Sequence, residues 1–279
     1  MGKDVAVVIG VGGMGQAIAR RIGSGRMVVL ADFNQATLDA VAEDLRGAGH
    51  HITPVTVDVS SRESVSALAD SAAELGRVTH IAHTAGLSPT QASTPAILDV
   101  DLLGVAIVLD EFSRVVAPGG AGVVIASMSA YFAAGALPPE ANTAFAATPT
   151  DDLLTLPLLD QLPDPGAAYA VAKRANQLRV QRASIAWGER GARINSISPG
   201  VISTPMGQEE LAGESGARMR TMVQASAAKR LGTPDDIAEA AAFLLDGTRA
   251  GYISGTDLLV DGGTVAGVVG GARDDATRT

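Results

Sequence analysis

The chain of 279 residues contains no cysteine. Disulfides, thiolate metal sites and cysteine nucleophiles are therefore excluded, and the redox compartment is left unmarked. Basic residues are the minority: 21 Lys and Arg stand against 30 Asp and Glu, a net charge of −9. This balance supplies no phosphate-neutralising face, which argues against a nucleic-acid binder, and no attraction to an anionic membrane. No apolar run reaches the length of a membrane span. A secretory leader is not expected, because only Lys3 precedes the apolar run from Val5 to Ile9 and a glycine-rich turn follows it. The expectation is a soluble, cytoplasmic protein. What is present is a core: 47% of residues are hydrophobic and 18% are charged. Such a composition folds. The length would allow two domains of about 150 residues, but α/β folds often run to about 250 in one.

The first half alternates two patterns. The runs Val5–Ile9, Met27–Leu30, Ile52–Val59, Val78–Ala82 and Val123–Ile125 are β-branched and continuous, as in strands buried on both faces. Between them lie helical stretches at Gln16–Ile22, Gln35–Arg46 and Arg62–Leu75, with Asn34 and Ser61 placed as N-caps. The alternation resumes at Ala192–Ile197, Asp235–Leu245 and Asp257–Val260. Strand–helix–strand order predicts a single-domain α/β fold: a doubly wound parallel sheet of about seven strands with helices on both faces. The domain is expected over 1–263, with a frayed tail at 264–279. One segment breaks the pattern. Residues 131–166 hold six prolines among many leucines, too long for an ordinary connection and too proline-rich for one helix. Thr150 or Asp151 would cap a short helix within it.

Residues 10–15 read Gly-Val-Gly-Gly-Met-Gly, placing Gly10, Gly12 and Gly15 in a G-x-G-x-x-G turn around Met14. The turn follows a strand and opens a helix, the setting a dinucleotide site requires. Gly10 allows the tight turn, Gly12 lets a pyrophosphate approach and Gly15 lets the helix pack on the strand. Asp32 ends the second strand, where a carboxylate accepts hydrogen bonds from a ribose 2′-hydroxyl and repels a 2′-phosphate. No Arg or Lys lies within 10–15 or 32–34, so NAD is expected rather than NADP.

Residues 169–173 read Tyr-Ala-Val-Ala-Lys in a helical stretch from Ala167 to Trp187, one turn apart on one face. An ammonium there favours the phenolate, and the tyrosine can then exchange a proton with an alcohol or carbonyl oxygen.

With this pair the chain resembles the classical branch of the short-chain dehydrogenase/reductase family. The glycine-rich turn is followed in order by Asp58-Val59, Thr84-Ala85-Gly86, Ala126-Ser127-Met128 and Tyr169-x-x-x-Lys173. Asn195 to Thr204, Arg230 to Asp236 and Val260 to Gly263 complete eight segments in register. The resemblance implies roles. Tyr169 would be the general acid/base, Lys173 would bind the nicotinamide ribose and depress the tyrosine pKa, and Ser127 would bind the reacting oxygen. Ser129 would face the substrate. Asp58 and Val59 would hold the adenine. Ala85 and Gly86 would line the cofactor site, and Pro199, Gly200, Ile202 and Thr204 its nicotinamide side. The reaction implied is hydride transfer between NAD and a secondary alcohol or ketone, in a homotetramer or homodimer that packs helices around 97–115 and 167–187, and the last strand, across two-fold axes.

Four features depart from the family. The glycine-rich turn is one residue short. Asp101 stands where the family has a relay asparagine, and would serve through its backbone carbonyl or pair with Lys173. His83-Thr84 replaces two asparagines. Ser127 and Tyr169 lie 42 positions apart because of the insertion at 131–166. It is similar to insertions of bacterial hydroxysteroid dehydrogenases and carbonyl reductases, and is expected either as a lid over a bulky apolar substrate or as a subunit interface. His50, His51, His80 and His83 do not make a metal site, and none is expected. A second reading is a catalytically silent NAD-binding regulator. An extended-branch epimerase would need a larger C-terminal domain, and an enoyl reductase a longer Tyr-to-Lys spacing.

Overall fold

Seven β-branched runs form seven parallel strands in the order β3-β2-β1-β4-β5-β6-β7. The computed structural model describes residues 3–269. The first half runs β1 (Asp4–Ile9), α1 (Gly13–Ile22), β2 (Met27–Asp32), α2 (Gln35–Gly47), β3 (His51–Thr56), α3 (Arg62–Leu75) and β4 (Arg77–His83). The helix starts follow the expected caps: Asn34 accepts from the Thr37 amide at 3.1 Å and Ser61 from the Ser64 amide at 3.3 Å. Next come the short α4 (Thr94–Ile97), a π-helical stretch over Leu98–Gly104, α5 (Val105–Val115) and β5 (Val116–Ile125). The second half holds α6 (Ser129–Ala136), α7 (Pro139–Ala147), α8 (Pro165–Glu189), β6 (Arg193–Pro199), α9 (Pro205–Ala212), α10 (Gly216–Ala225), α11 (Pro234–Leu245) and β7 (Asp257–Val260).

The side-chain period of two splits each strand between two cores. Val5, Val7 and Ile9 of β1 face α3, α5 and α8, while Ala6 and Val8 face α1, α2 and α11. Each fully buried Val, Leu or Ile contributes about 1.5–3 kcal/mol. This is the doubly wound sheet the sequence predicts. Two boundaries move. β3 stops at Thr56, opposite Asp32, and the Val57 amide makes the last bond of that ladder to the Asp32 carbonyl at 3.0 Å. β5 begins earlier than its valines indicate, at Val116, before the Pro118-Gly119-Gly120 irregularity. Among the described residues no helix is long and apolar enough to cross a membrane.

The 131–166 segment packs sideways. Ala141, Phe145, Leu153 and Leu159 are buried against Leu102, Ala106, Val171, Ala172 and Ala175. They cover the outward faces of the π-helical stretch, α5 and α8. Thr150–Thr155 is a short 3-10 helix with no side-chain cap. Arg179 of α8 secures the segment, donating to the Phe145 and Thr148 carbonyls at 3.1 and 2.9 Å and to Thr150 Oγ1 at 2.8 Å. Asp164 then caps α8, accepting from the Ala167 amide at 2.8 Å, with Pro165 in the first turn. The tail expected to fray after Gly263 is helical over 264–269, and Val265 packs against Met128, Val201 and Val223. The rest of that tail lies outside the described residues.

Candidate active site

β1 lies between β2 and β4, so the chain leaves β1 and β4 in opposite directions and opens a crevice at their C-terminal ends. The glycine-rich turn spans it. Gly10 has φ +86°, and a Cβ there would lie 2.4 Å from the Ala85 amide nitrogen. One on Gly15 would lie 1.9 Å from the Gly10 carbonyl oxygen, whereas one on Gly12 meets nothing within 4 Å. Gly10 and Gly15 thus close the turn on its neighbours, and Gly12 leaves its outer side open at the N-terminus of α1. Asp32 fastens this turn: Oδ2 accepts from the Val11 amide at 2.7 Å and Oδ1 from the Asn34 amide at 2.9 Å. Asp58 turns inward on its own loop, accepting from the Ser60 amide and hydroxyl at 2.9 and 2.6 Å. Val59 is buried beside Gly104. An open, glycine-lined helix N-terminus with a carboxylate on the next strand fits a dinucleotide.

The catalytic candidates meet beyond this turn. Ser127 follows the end of β5, and its Oγ accepts from the Ser129 amide at 3.2 Å. α8 brings Tyr169 and Lys173 to the same wall, with the ammonium 5.3 Å from the phenol ring centre. Lys173 is 3% exposed and donates to the Ile125 carbonyl at 3.3 Å. Burial holds the Tyr169 phenol above its ordinary value; Lys173 pulls it down, Asp101 pushes it up and the Ser127 hydroxyl pulls it down. The ammonium therefore acts in the expected direction but is outweighed. The Asp101 backbone carbonyl accepts from Asn176 Nδ2 at 2.9 Å, which leaves that oxygen one further lone pair. The Asp101 carboxylate stands 3.8 Å from Lys173. His83 is 1% exposed, with neither ring nitrogen hydrogen-bonded, and burial lowers its pKa to about 3. It is a neutral core histidine behind Lys173.

Ser127, Tyr169 and Lys173 line one cleft of about 570 Å³. Met14, Gly86, Ser129, Pro199, Gly200, Ile202 and Thr204 line it too. Gly10, Gly12, Asp32, Asp58, Val59 and Ala85 lie outside it, along the strand ends that lead away from the reacting groups. Thr204 also caps α9, accepting from the Gly207 amide at 3.0 Å.

Across its length the chain matches known sequences in two blocks. Residues 4–148 match the family described as short chain dehydrogenase, and residues 160–265 the one described as enoyl-(acyl carrier protein) reductase. A short-chain dehydrogenase/reductase of Alternaria brassicicola, bsc3, is 41% identical over 95% of this chain and 97% of its own length. The chain belongs to the short-chain dehydrogenase/reductase family. A cis-4-hydroxycyclohexanecarboxylate dehydrogenase of Sinomonas cyclohexanicum is 30% identical over 95% of this chain and 97% of its own. The solved 3-alpha-hydroxysteroid dehydrogenase of Pseudomonas sp. B-0831, complexed with NADH, superposes with a TM-score of 0.76 at 27% identity, covering 94% of this chain and 97% of that one. The protein is thus a short-chain oxidoreductase.

The apolar wall of the cleft was not legible in the sequence. Leu87, Phe132, Met206, Met219 and Met222 form it, and five of the seven methionines line the cleft. Methionines grouped at 206–222, in a stretch otherwise charged, are the sequence signal. Of the 131–166 segment only Phe132, Asp164 and Gly166 reach the cleft. α9 and α10 line the cleft as well, with Met206, Glu210, Arg218, Met219 and Met222.

Proposed function

We propose that the protein transfers a hydride between NAD(H) and a secondary alcohol or ketone, with a bulky, apolar, cyclic or steroid-like substrate. The observation that carries this reading is the meeting of Ser127, Tyr169 and Lys173 on the wall of a methionine-lined cleft, beside an open Gly12 turn. The bound cofactor supplies or accepts the hydride. Tyr169 donates a proton to the substrate oxygen in reduction and removes it in oxidation. Ser127 donates a hydrogen bond to that oxygen as charge develops on it. Lys173 holds the cofactor ribose and favours the phenolate. Asp32 favours NAD, since a 2′-phosphate would meet its carboxylate. Methionine side chains adapt to varied apolar shapes, which suits a large ring system. The four-residue step from Tyr169 to Lys173 speaks against enoyl reduction.

The relatives support this direction by name: one acts on a hydroxycyclohexanecarboxylate and one solved neighbour is a hydroxysteroid dehydrogenase with NADH. The test is oxidation of NADH and NADPH with ketones graded from cyclohexanone to steroids. Turnover with NADH that rises with ring size supports the reading; turnover only with NADPH contradicts the role of Asp32. For assembly, the insertion covers much of the α5 and α8 faces, and β7 keeps a free edge. We infer a homotetramer or homodimer, with β7 as one contact between copies, and light scattering would measure which forms.

A further inference from the structure

Asp101 is completely buried, yet half of its carboxylate has no partner. It sits in the π-helical stretch Leu98–Gly104, a distortion that recurs at functional sites. Oδ1 accepts from the Leu87 amide at 2.8 Å. Oδ2 makes no hydrogen bond and stands 3.8 Å from Lys173 Nζ. Gly86 seals the pair: a Cβ there would lie 3.0 Å from Asp101 Oδ1 and 3.2 Å from Lys173 Nζ. Asn176 holds the Asp101 carbonyl, so the π-helical stretch is fixed against α8. The carboxylate therefore has one function-bearing neighbour, the ammonium that acts on Tyr169.

We propose that Asp101 is a positioning residue whose carboxylate holds Lys173 and shares its charge, so that Tyr169 surrenders its proton less readily than beside a free ammonium. This rests on the oxidoreductase reading for its consequence in catalysis, but not for its measurement. The charged and titratable groups that act on Tyr169 are Lys173 on its own helix, Asp101 on the π-helical stretch and Glu210 on α9, with the Ser127 hydroxyl beside it. His83 lies behind Lys173 and stays neutral. Burial raises the Asp101 pKa, with Lys173 and the Leu87 amide acting against it. The ammonium 3.8 Å from Oδ2 and the Leu87 amide on Oδ1 are the two groups that favour the ionised carboxylate. The consequence is that the phenol stays protonated over a wider range, which suits proton donation in ketone reduction.

The chain has three tyrosines, so tyrosinate absorbance at 295 nm is readable. Subtracting the titration of Tyr169→Phe isolates Tyr169. Asp101→Asn keeps the shape and an acceptor for the Leu87 amide but removes the charge. The Tyr169 midpoint is expected to fall by about one pH unit. Lys173→Met should move it up. If Asp101→Asn folds poorly, Asp101→Ser is used in the same comparison, its hydroxyl again offering Leu87 an acceptor. A midpoint that stays put or rises overturns the proposal. The pH limb of alcohol oxidation should move with the midpoint, about tenfold in rate at a pH on that limb. A shifted midpoint with no turnover on any alcohol would leave Asp101 in this role and sink the alcohol–ketone reading instead.

Discussion

Two segments flank the catalytic helix, and they differ in kind. Residues 131–166 are apolar and proline-broken, and they bury Phe145, Leu153 and Leu159 against α5, α8 and the π-helical stretch. Residues 205–225 are charged and methionine-bearing, and they line the cleft. The first is fixed by buried area and by Arg179 on its carbonyls. The second is held by a smaller apolar cluster, Val223 with Met128 and Val201, and by polar contacts at its rim, Ser88 donating to Glu210 and Gln91 to Glu209. Apolar content marks what a segment buries, not what it covers. Adaptable methionine side chains mark the apolar lining of the cleft.

Substitutions can break this contrast. Phe145→Ala should cost about 3–5 kcal/mol by denaturant unfolding, with KM for ketone unchanged in the folded fraction. A large KM change with full stability would make 131–166 the lid after all. Met219→Ala with Met222→Ala should do the reverse. The expected effect is about a tenfold rise in KM for a bulky ketone, with small ketones little affected. The unfolding midpoint should move less than in Phe145→Ala.

Acidification probes the sheet beneath both segments. His83 is buried and His80 half-buried, and burial lowers their pKa values to about 3 and about 4. The unfolded chain takes up these protons near pH 6.5 and the folded chain does not, so stability is retained above 6.5 and falls below it. Each histidine contributes a slope of about 1.4 kcal/mol per pH unit down to its folded value. His83→Leu should remove its own contribution, about half of the combined slope of the two histidines, between pH 6 and 5 in urea unfolding. The smallest effect is expected at Asp151, which pairs with Arg62 at 2.9 Å but is largely exposed. Asp151→Ala should cost under about 1 kcal/mol, since solvent screens the pair.

The fold and the reacting groups were legible because they obey local rules. β-branched runs, caps at Asn34 and Ser61, and glycines pressed against backbone are written in neighbouring residues. Ser127, Tyr169 and Lys173 come together as their segments imply. What was not legible depends on contacts between distant segments. The leucines of 131–166 gave no sign of which surface they would meet. Met219 and Met222 carry no motif. The partners of Asp101 depend on the distant α8, from which Asn176 meets its carbonyl and Lys173 its carboxylate.

The account stands on Tyr169. The direct measurement is NADH oxidation by the purified protein with a bulky cyclic ketone, beside folded Tyr169→Phe with its NADH affinity measured separately. The account predicts turnover in the native protein, a loss of at least about 100-fold in the variant and unchanged NADH binding. Equal turnover in the two proteins would contradict it.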